Sequence, residues 1–262
     1  MRSSVIALAS SVVVFGVIAW VIVRAPGWPE VQESFFNAQI FRESLPGLLT
    51  AFVVNIELFM LAEVLVLAFG LVLAIMRSLG GPVFLPIRVL STVYTDIFRA
   101  IPGVLVIFVL GFGIPALRLV DPRTDQRLFG VLALTLVYSA YVSEVYRAGI
   151  ESIHPSQEAA ARSLGLSRFQ SLRHVIVPQA VRRVIPPLLN DFIGLQKDTV
   201  LVSFIGVVEL FRYAQIQSAA TYNFTPYVAV ALVFIVVTIP LIHLVDWLVA
   251  RDRRRASGGP AR

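Results

Sequence analysis

Three consecutive residues, Lys197, Asp198 and Thr199, interrupt a long apolar stretch, and Lys197 is the only lysine in the chain. A lysine ammonium is a compact point charge that can receive a carboxylate. In an apolar setting it needs a partner or a wet cavity. Two arrangements meet that need: Lys197 lines a pathway with Thr199 nearby, or it forms an ion pair, locally with Asp198 or with an acid on a neighbouring helix. Arg99 poses the same choice. It stands just before Pro102, a residue type that frees a carbonyl and kinks a helix. A guanidinium at a kink can grip a carboxylate with two parallel hydrogen bonds, or it can pair with Asp96 one turn back. Glu63 lies deep in another apolar run. There a carboxylate can receive an ammonium or guanidinium group, or take up a proton and fall silent. Glu144 and Arg147 share a helix face at i,i+3, the spacing of a local ion pair; Glu144 is also a candidate pathway group.

These groups do not compose a metal or nucleophile motif. The chain has no cysteine, which excludes thiol catalysis, disulfides and cysteine ligands. His154, His174 and His243 are its only histidines, and no H-E-x-x-H or G-x-S-x-G occurs. No G-x-x-x-x-G-K-[ST] loop is present to cradle a nucleotide. The alternatives to a transport role are a membrane-embedded hydrolase using Glu144 or Glu63, and a purely structural membrane subunit. The second would avoid ionisable residues deep in its spans.

The elements that must hold these residues are membrane helices. The 262 residues are 57% hydrophobic and 15% charged, more apolar than a soluble core requires. Apolar runs at 5–23, 48–76, 85–112, 129–146, 184–205 and 227–249 predict about six transmembrane helices, since backbone groups in lipid must be satisfied internally. The fold class is therefore all-α integral membrane. The first run exceeds a signal-peptide core and lacks a convincing cleavage site, so a retained anchor is expected. Residues 1–44 form that anchor and an outer linker, 45–249 the main bundle, and 250–262 a basic tail. Arg77, Arg88, Arg162, Arg168, Arg173, Arg182 and Arg183 fall on one side of these spans with Arg2 and the tail. The positive-inside tendency then places both termini in the cytoplasm. The net charge of +6 marks those cytoplasmic segments rather than a nucleic-acid partner.

One loop, about 151–180, is neither oily nor loose. Pro155 suits a helix's first turn, and the residues up to Leu164 are strong helix formers. Gly165 fits a left-handed stop. Ser167 and Gln170 have capping-box spacing, so a second helix begins at once, and Pro178 is expected to end it. Either this element lies on anionic lipid, or its small residues Ala159, Ala160 and Ala161 admit another protein surface.

The stretch EAAARSLGLSRFQSLRHVIVPQA resembles the EAA loop of bacterial ABC-importer permeases. Gly165, Val175, Val177 and Pro178 keep the spacing of that motif's second half. Glu158 sits one residue before the usual glutamate position, which Ala159 occupies. YTDIFRAIPGVLVIFVLGFG, AYVSEVYRAGIESI and LQKDTVLVSFIGVVELFRYAQ are similar to the polar amino-acid (histidine, glutamine, arginine) uptake branch of type I permeases. The resemblance runs from about residue 45 to 249.

That resemblance implies a permease subunit, not an enzyme, located in the bacterial cytoplasmic membrane. It implies that Glu158, Ala159, Ala160, Leu164, Gly165 and Pro178 belong to an element coupled to a cytoplasmic ATPase dimer. ATP and magnesium would bind that partner, and this chain would need no cofactor. The other partners implied are an extracytoplasmic solute-binding protein and a second permease, identical or sister, within membrane lipid. The family places the Lys197–Asp198–Thr199 motif beside the central pathway.

Overall fold

The computed structural model describes residues 2–118, 120, 121 and 123–256, with side chains for 10–118, 120, 121 and 123–251. The basic tail expected at 250–262 therefore lies mostly outside the described side chains. All regular elements among the described residues are helical. α1 (Arg2–Val23) is followed by a short α2 (Trp28–Phe35) and the long α3 (Ala38–Ser78). α3 starts where Asn37 caps it, its Oδ1 accepting from the backbone N–H of Gln39 and Ile40 at 3.0 and 3.1 Å. α4 (Leu85–Ala100) leads to α5 (Gly103–Phe108), a π turn at Val109–Gly113 and α6 (Ile114–Ala116). α7 (Gln126–Glu151) precedes the polar loop, which holds α8 (Pro155–Ser163) and α9 (Arg168–Ser171). A second π turn at Leu172–Ile176 continues into α10 (Val177–Asp198) and a 3-10 segment at Thr199–Ile205. α11 (Leu210–Thr221) and α12 (Thr225–Ala256) complete the chain.

The main core lies where α3, α7 and α10 meet, with Leu58, Ala62, Val66, Leu134 and Leu195 buried together. Gly70 lets α3 approach Val142 of α7, and Gly149 lets α7 approach Val184 of α10; a methyl at either would collide with the opposing valine. A second core joins α3, α11 and α12 through Leu48, Leu210, Ala214 and Ala229.

Three helical stretches are long and apolar enough to cross a membrane, Trp28–Ser78, Gln126–Glu151 and Thr225–Arg251, and counting each of two bent pairs as a span gives five. The first expected span is the helix α1, whose described apolar part is Ser10–Val23.

Two expectations need correction. The run at 85–112 is not one kinked helix. α4 and the α5–α6 segment meet at 105°. Pro102 excludes Ile101 from helical geometry, and Ile101 is extended at φ −88, ψ 131. Pro178 does not end the second loop helix. Helical structure runs unbroken from Arg168 through Asp198. The wider π turn before Pro178 relieves the clash that its ring would make with the preceding turn. Pro178 thus lies inside the continuous run, just past the π turn, and not at a free helix start.

Candidate functional site

The break between α4 and α5 brings α4, α7 and α10 together around a polar patch. Lys197 and Asp198 end α10, Thr199 opens the 3-10 segment, and the three side chains diverge. Lys197 is exposed and makes no ion pair with Asp198. Asp198 instead accepts a hydrogen bond from the Tyr138 hydroxyl of α7 at 2.8 Å, so the local-pair alternative fails. Tyr138 and Tyr141 are neighbours on α7, 6.3 Å between ring centroids. The Arg99 guanidinium lies over the Tyr141 ring at 5.8 Å, and the Tyr141 hydroxyl donates to the Arg99 carbonyl at 3.4 Å. Arg99 thus stacks on an aromatic face. It makes no pair with Asp96; the acid within 4.0 Å is Glu144. A cavity of about 10 Å³, lined in part by Gly103, Tyr138 and Asp198, lies behind the patch.

Two further acids lie on α3 and α10. Glu63 on α3 is half-buried and lies within electrostatic reach of Asp191 on α10. Asp191 keeps one enclosed carboxylate oxygen without a hydrogen-bond partner.

Thr199 turns inward and is fully buried. Its Oγ1 donates to the Gln196 carbonyl at 2.8 Å and accepts from Asn55 Nδ2 at 3.0 Å. Asn55 also donates to Glu209 at 2.9 Å and accepts from the Leu210 backbone N–H at 3.0 Å. Glu209 is fully buried and caps α11, accepting from the N–H groups of Phe211 and Arg212 at 3.0 and 2.8 Å. This lock ties α3, the 3-10 segment and α11 into one joint beside Lys197.

Glu144 lies nearer the polar loop. It pairs closely with Arg77 of α3 and with Arg147 at 2.7 Å, the i,i+3 contact expected from spacing. Arg147 also reaches Glu151 at 2.5 Å. A cavity of about 390 Å³, lined by residues including Glu144, Gly149, Arg183 and Pro187, opens beside this hub. Arg183 closes the base of the loop by donating to the Ser152 carbonyl.

The loop has the expected punctuation. Pro155 is in the first turn of α8, Gly165 is left-handed at φ +86, and Ser167 and Gln170 form both bonds of a capping box. Ala159, Ala160, Leu164 and Gly165 face outward, with Leu164 85% exposed. Ala161 is buried. Glu158 is half-buried and lies 3.9 Å from Arg168 within the loop.

Asn55, Arg77, Tyr138, Asp191 and Glu209 are additions from the structure. Glu209 had a local signal: an acid after Gly206 and directly before an amphipathic run is a helix-start pattern. Asn55 is a polar residue inside an apolar run, and its partners lie more than 140 positions away.

Charged groups held between bent helices of an apolar bundle, with a stiff capped loop at one end, are the parts of a membrane transport subunit. The comparisons specify the class. Residues 84–254 match the family described as binding-protein-dependent transport system inner membrane component. A probable glutamine ABC transporter permease of Bacillus subtilis (strain 168) is 39% identical over 197 residues, covering 73% of this chain and 88% of the relative. An arginine transport system permease of the same organism is 31% identical over 210 residues, covering 80% and 93%. The crystal structure of an amino acid ABC transporter with histidines aligns with a TM-score of 0.72 and 32% identity, over 79% of this chain and 94% of that one.

The chain belongs to the family of binding-protein-dependent transport system inner membrane components. It is a multi-pass inner-membrane permease subunit, and the family implies a separate ATPase and a substrate-binding protein as partners. Neither a membrane-embedded hydrolase nor a non-transporting structural subunit finds support in these relatives.

Proposed function

We propose that this chain supplies half of the pathway of an ATP-driven importer for a polar amino acid or a related zwitterion. The observation that carries this reading is the series Arg99–Tyr141–Tyr138–Asp198, which brings both charge signs to the α4–α5 break. Arg99 and Lys197 are cations suited to a carboxylate. Asp198, Glu63 and Asp191 are acids suited to an ammonium or guanidinium group. Relatives named for glutamine and arginine transport support the amino-acid class. Exposed charges on a membrane helix need water or protein across from them, which supports pairing with a second copy or a sister permease. In this reading residues 1–44 anchor and link, 45–249 form the pathway unit, and Glu144, held by Arg77 and Arg147, borders its inner end.

The exposed face of Ala159, Ala160, Leu164 and Gly165 docks on a cytoplasmic ATPase dimer, which binds the ATP and magnesium. Glu158 turns toward Arg168 and acts inside the loop. Pro178 lies where the loop passes into α10. A solute-binding protein delivers from the opposite side. The arginines gathered at the loop end support cytoplasmic placement of both termini.

The test is uptake in proteoliposomes holding the reconstituted permease, its ATPase and its binding protein. Lys197→Met retains length and removes the charge. Normal membrane level and normal ATPase binding with most uptake lost is the expected result. Unchanged uptake removes Lys197 from the pathway.

A further inference from the structure

Lys197 and Asp198 are adjacent and opposite in charge, yet they do not pair. Lys197 is exposed and makes no ion pair among the described residues. Neighbouring positions on a helix do not face each other, but the flexible four-carbon stem of a lysine can swing across that gap. In apolar surroundings the attraction between such charges is weakly screened. Something must hold the carboxylate away.

The hold comes from α7. The Tyr138 hydroxyl donates to Asp198 Oδ2 at 2.8 Å, and this contact is built from both sides. On α7 the Tyr138 ring packs against the main core and lies 6.3 Å from the ring of Tyr141. On α10, Gly194 stands one turn before Asp198, at the i,i+4 spacing that puts both on one face. A Cβ at Gly194 would lie 3.2 Å from the Tyr138 oxygen and 3.6 Å from its ring. The missing side chain lets the hydroxyl cross to α10 and reach the carboxylate. The cavity of about 10 Å³ beside this bond is lined by Tyr138, Asp198 and apolar side chains including Leu134 and Leu201. A space of that size has room for about one water, so little solvent competes with the hydroxyl on that side.

We infer that Tyr138 is a positioning residue: its hydroxyl keeps the Asp198 carboxylate off the Lys197 ammonium, so that both charges stay available to a zwitterion instead of neutralising each other. The availability to a zwitterion rests on the proposed function; the hold on Asp198 does not. Tyr138 acts through Asp198 and needs no contact with the solute. Without the hydroxyl, Asp198 is free to turn toward Lys197 and the pair closes.

Lys197 is the only lysine, so an amine reagent reports on it with only the terminal amine beside it. The purified permease–ATPase complex is pulsed with isotope-coded acetic anhydride, and mass spectrometry follows the peptide carrying residue 197. An ammonium held by a carboxylate releases its proton less readily, and only the free amine reacts. Tyr138→Phe is expected to slow acetylation of Lys197 about fivefold, the scale of a favourable exposed ion pair. Asp198→Asn added to it is expected to restore the wild-type rate. Gly194→Ala presses on the hydroxyl and is expected to act in the same direction, with the same rescue. An unchanged rate in Tyr138→Phe overturns the inference. Slowing that Asp198→Asn does not relieve also overturns it, because loss of the hydroxyl has then displaced Lys197 by some other means. Faster labelling in Asp198→Asn alone overturns it as well, because the pair then already exists in the wild type. Uptake of a radiolabelled amino-acid mixture by proteoliposomes is the separate readout. Tyr138→Phe is expected to lower uptake at low solute concentration and to recover at high concentration, at normal membrane level. Slowed and rescued labelling with unchanged uptake supports the hold on Asp198 and counts against the proposed pathway role of Lys197 instead.

Discussion

Asn55→Ala is the substitution whose cost can be worked from the structure most directly. Asn55 donates to Glu209 at 2.9 Å and to Thr199 at 3.0 Å, and accepts from the Leu210 N–H at 3.0 Å. Alanine removes all three bonds. Thr199 keeps its bond to the Gln196 carbonyl, so its loss is small. Glu209 keeps its two backbone donors but loses the third. A hydrogen bond to a charged acceptor contributes about 1.5–3 kcal/mol, and a buried N–H left without an acceptor costs about 1–3 kcal/mol. The sum is about 3–6 kcal/mol. Side-chain hydrogen bonds in membrane proteins tend to run weaker, near 0.6 kcal/mol on average, because the unfolded chain in the membrane finds other partners. That correction applies less to Asn55, which is 2% exposed and bonded to a fully buried glutamate. The lower end, about 3 kcal/mol, is therefore expected, roughly a hundredfold in the unfolding equilibrium. Unfolding of the purified chain in dodecyl maltoside titrated with SDS, followed by tryptophan emission, measures it. Thr50→Ala is the control, since the Thr50 hydroxyl bonds only within its own helix, to the Pro46 carbonyl, and about 0.5 kcal/mol is expected. A loss for Asn55→Ala no larger than that of Thr50→Ala refutes the claim that this lock holds α3 to α11.

Ala160→Trp should leave the permease in the membrane and abolish co-purification of the ATPase, or uncouple hydrolysis from uptake; unchanged assembly and uptake count against the docking face. Gly149→Ala should destabilise the bundle by about 1–3 kcal/mol through overpacking, because its methyl meets Val184; Val184→Ala in the same chain should restore much of the loss in the same SDS titration. Glu144→Gln removes the shared counter-charge of Arg77 and Arg147, so membrane level should fall, and Arg77→Met added to it should recover part of that level by immunoblot.

The apolar runs made the helices legible in the sequence, because each span must satisfy its own backbone. The loop was legible for a different reason: Pro155, Gly165 and the Ser167–Gln170 capping box are local rules, and local rules survive folding. What escaped was set by partners distant in sequence. Nothing near Asp198 announces Tyr138, and nothing near Asn55 announces Glu209. Proline misled in both directions. Pro102 produced a far sharper bend than a kink because Ile101 became extended, while Pro178 failed to stop a helix because a π turn absorbed it.

The Pro178 correction changes what the loop can transmit. Two separate helices joined by a loose link would lose displacement at the link. Here the capped start at Ser167 and the charged end at Asp198 belong to one helical run. α10 alone has 22 residues, about 33 Å at 1.5 Å per residue. A tilt of about 5° at its base moves its far end by roughly 3 Å at that length, comparable to the length of a hydrogen bond. At that far end the Lys197 side chain is exposed, whereas Asp198 is held by Tyr138 and Thr199 by Asn55. Displacement from the loop side would therefore shift the exposed Lys197 side chain and be resisted at Asp198 and Thr199. The π turn at Leu172–Ile176 and the Pro186–Pro187 pair inside α10 are the weak places in this run, because π hydrogen bonds span a wider turn and each proline removes one bond. Shortening the turn by deleting one residue from 172–176 should restore α-helical pitch and push Pro178 into the preceding carbonyl. If the run acts as a rod, that deletion costs coupling between ATP hydrolysis and uptake while ATPase binding persists. Preserved coupling would show that movement reaches Lys197 by another route.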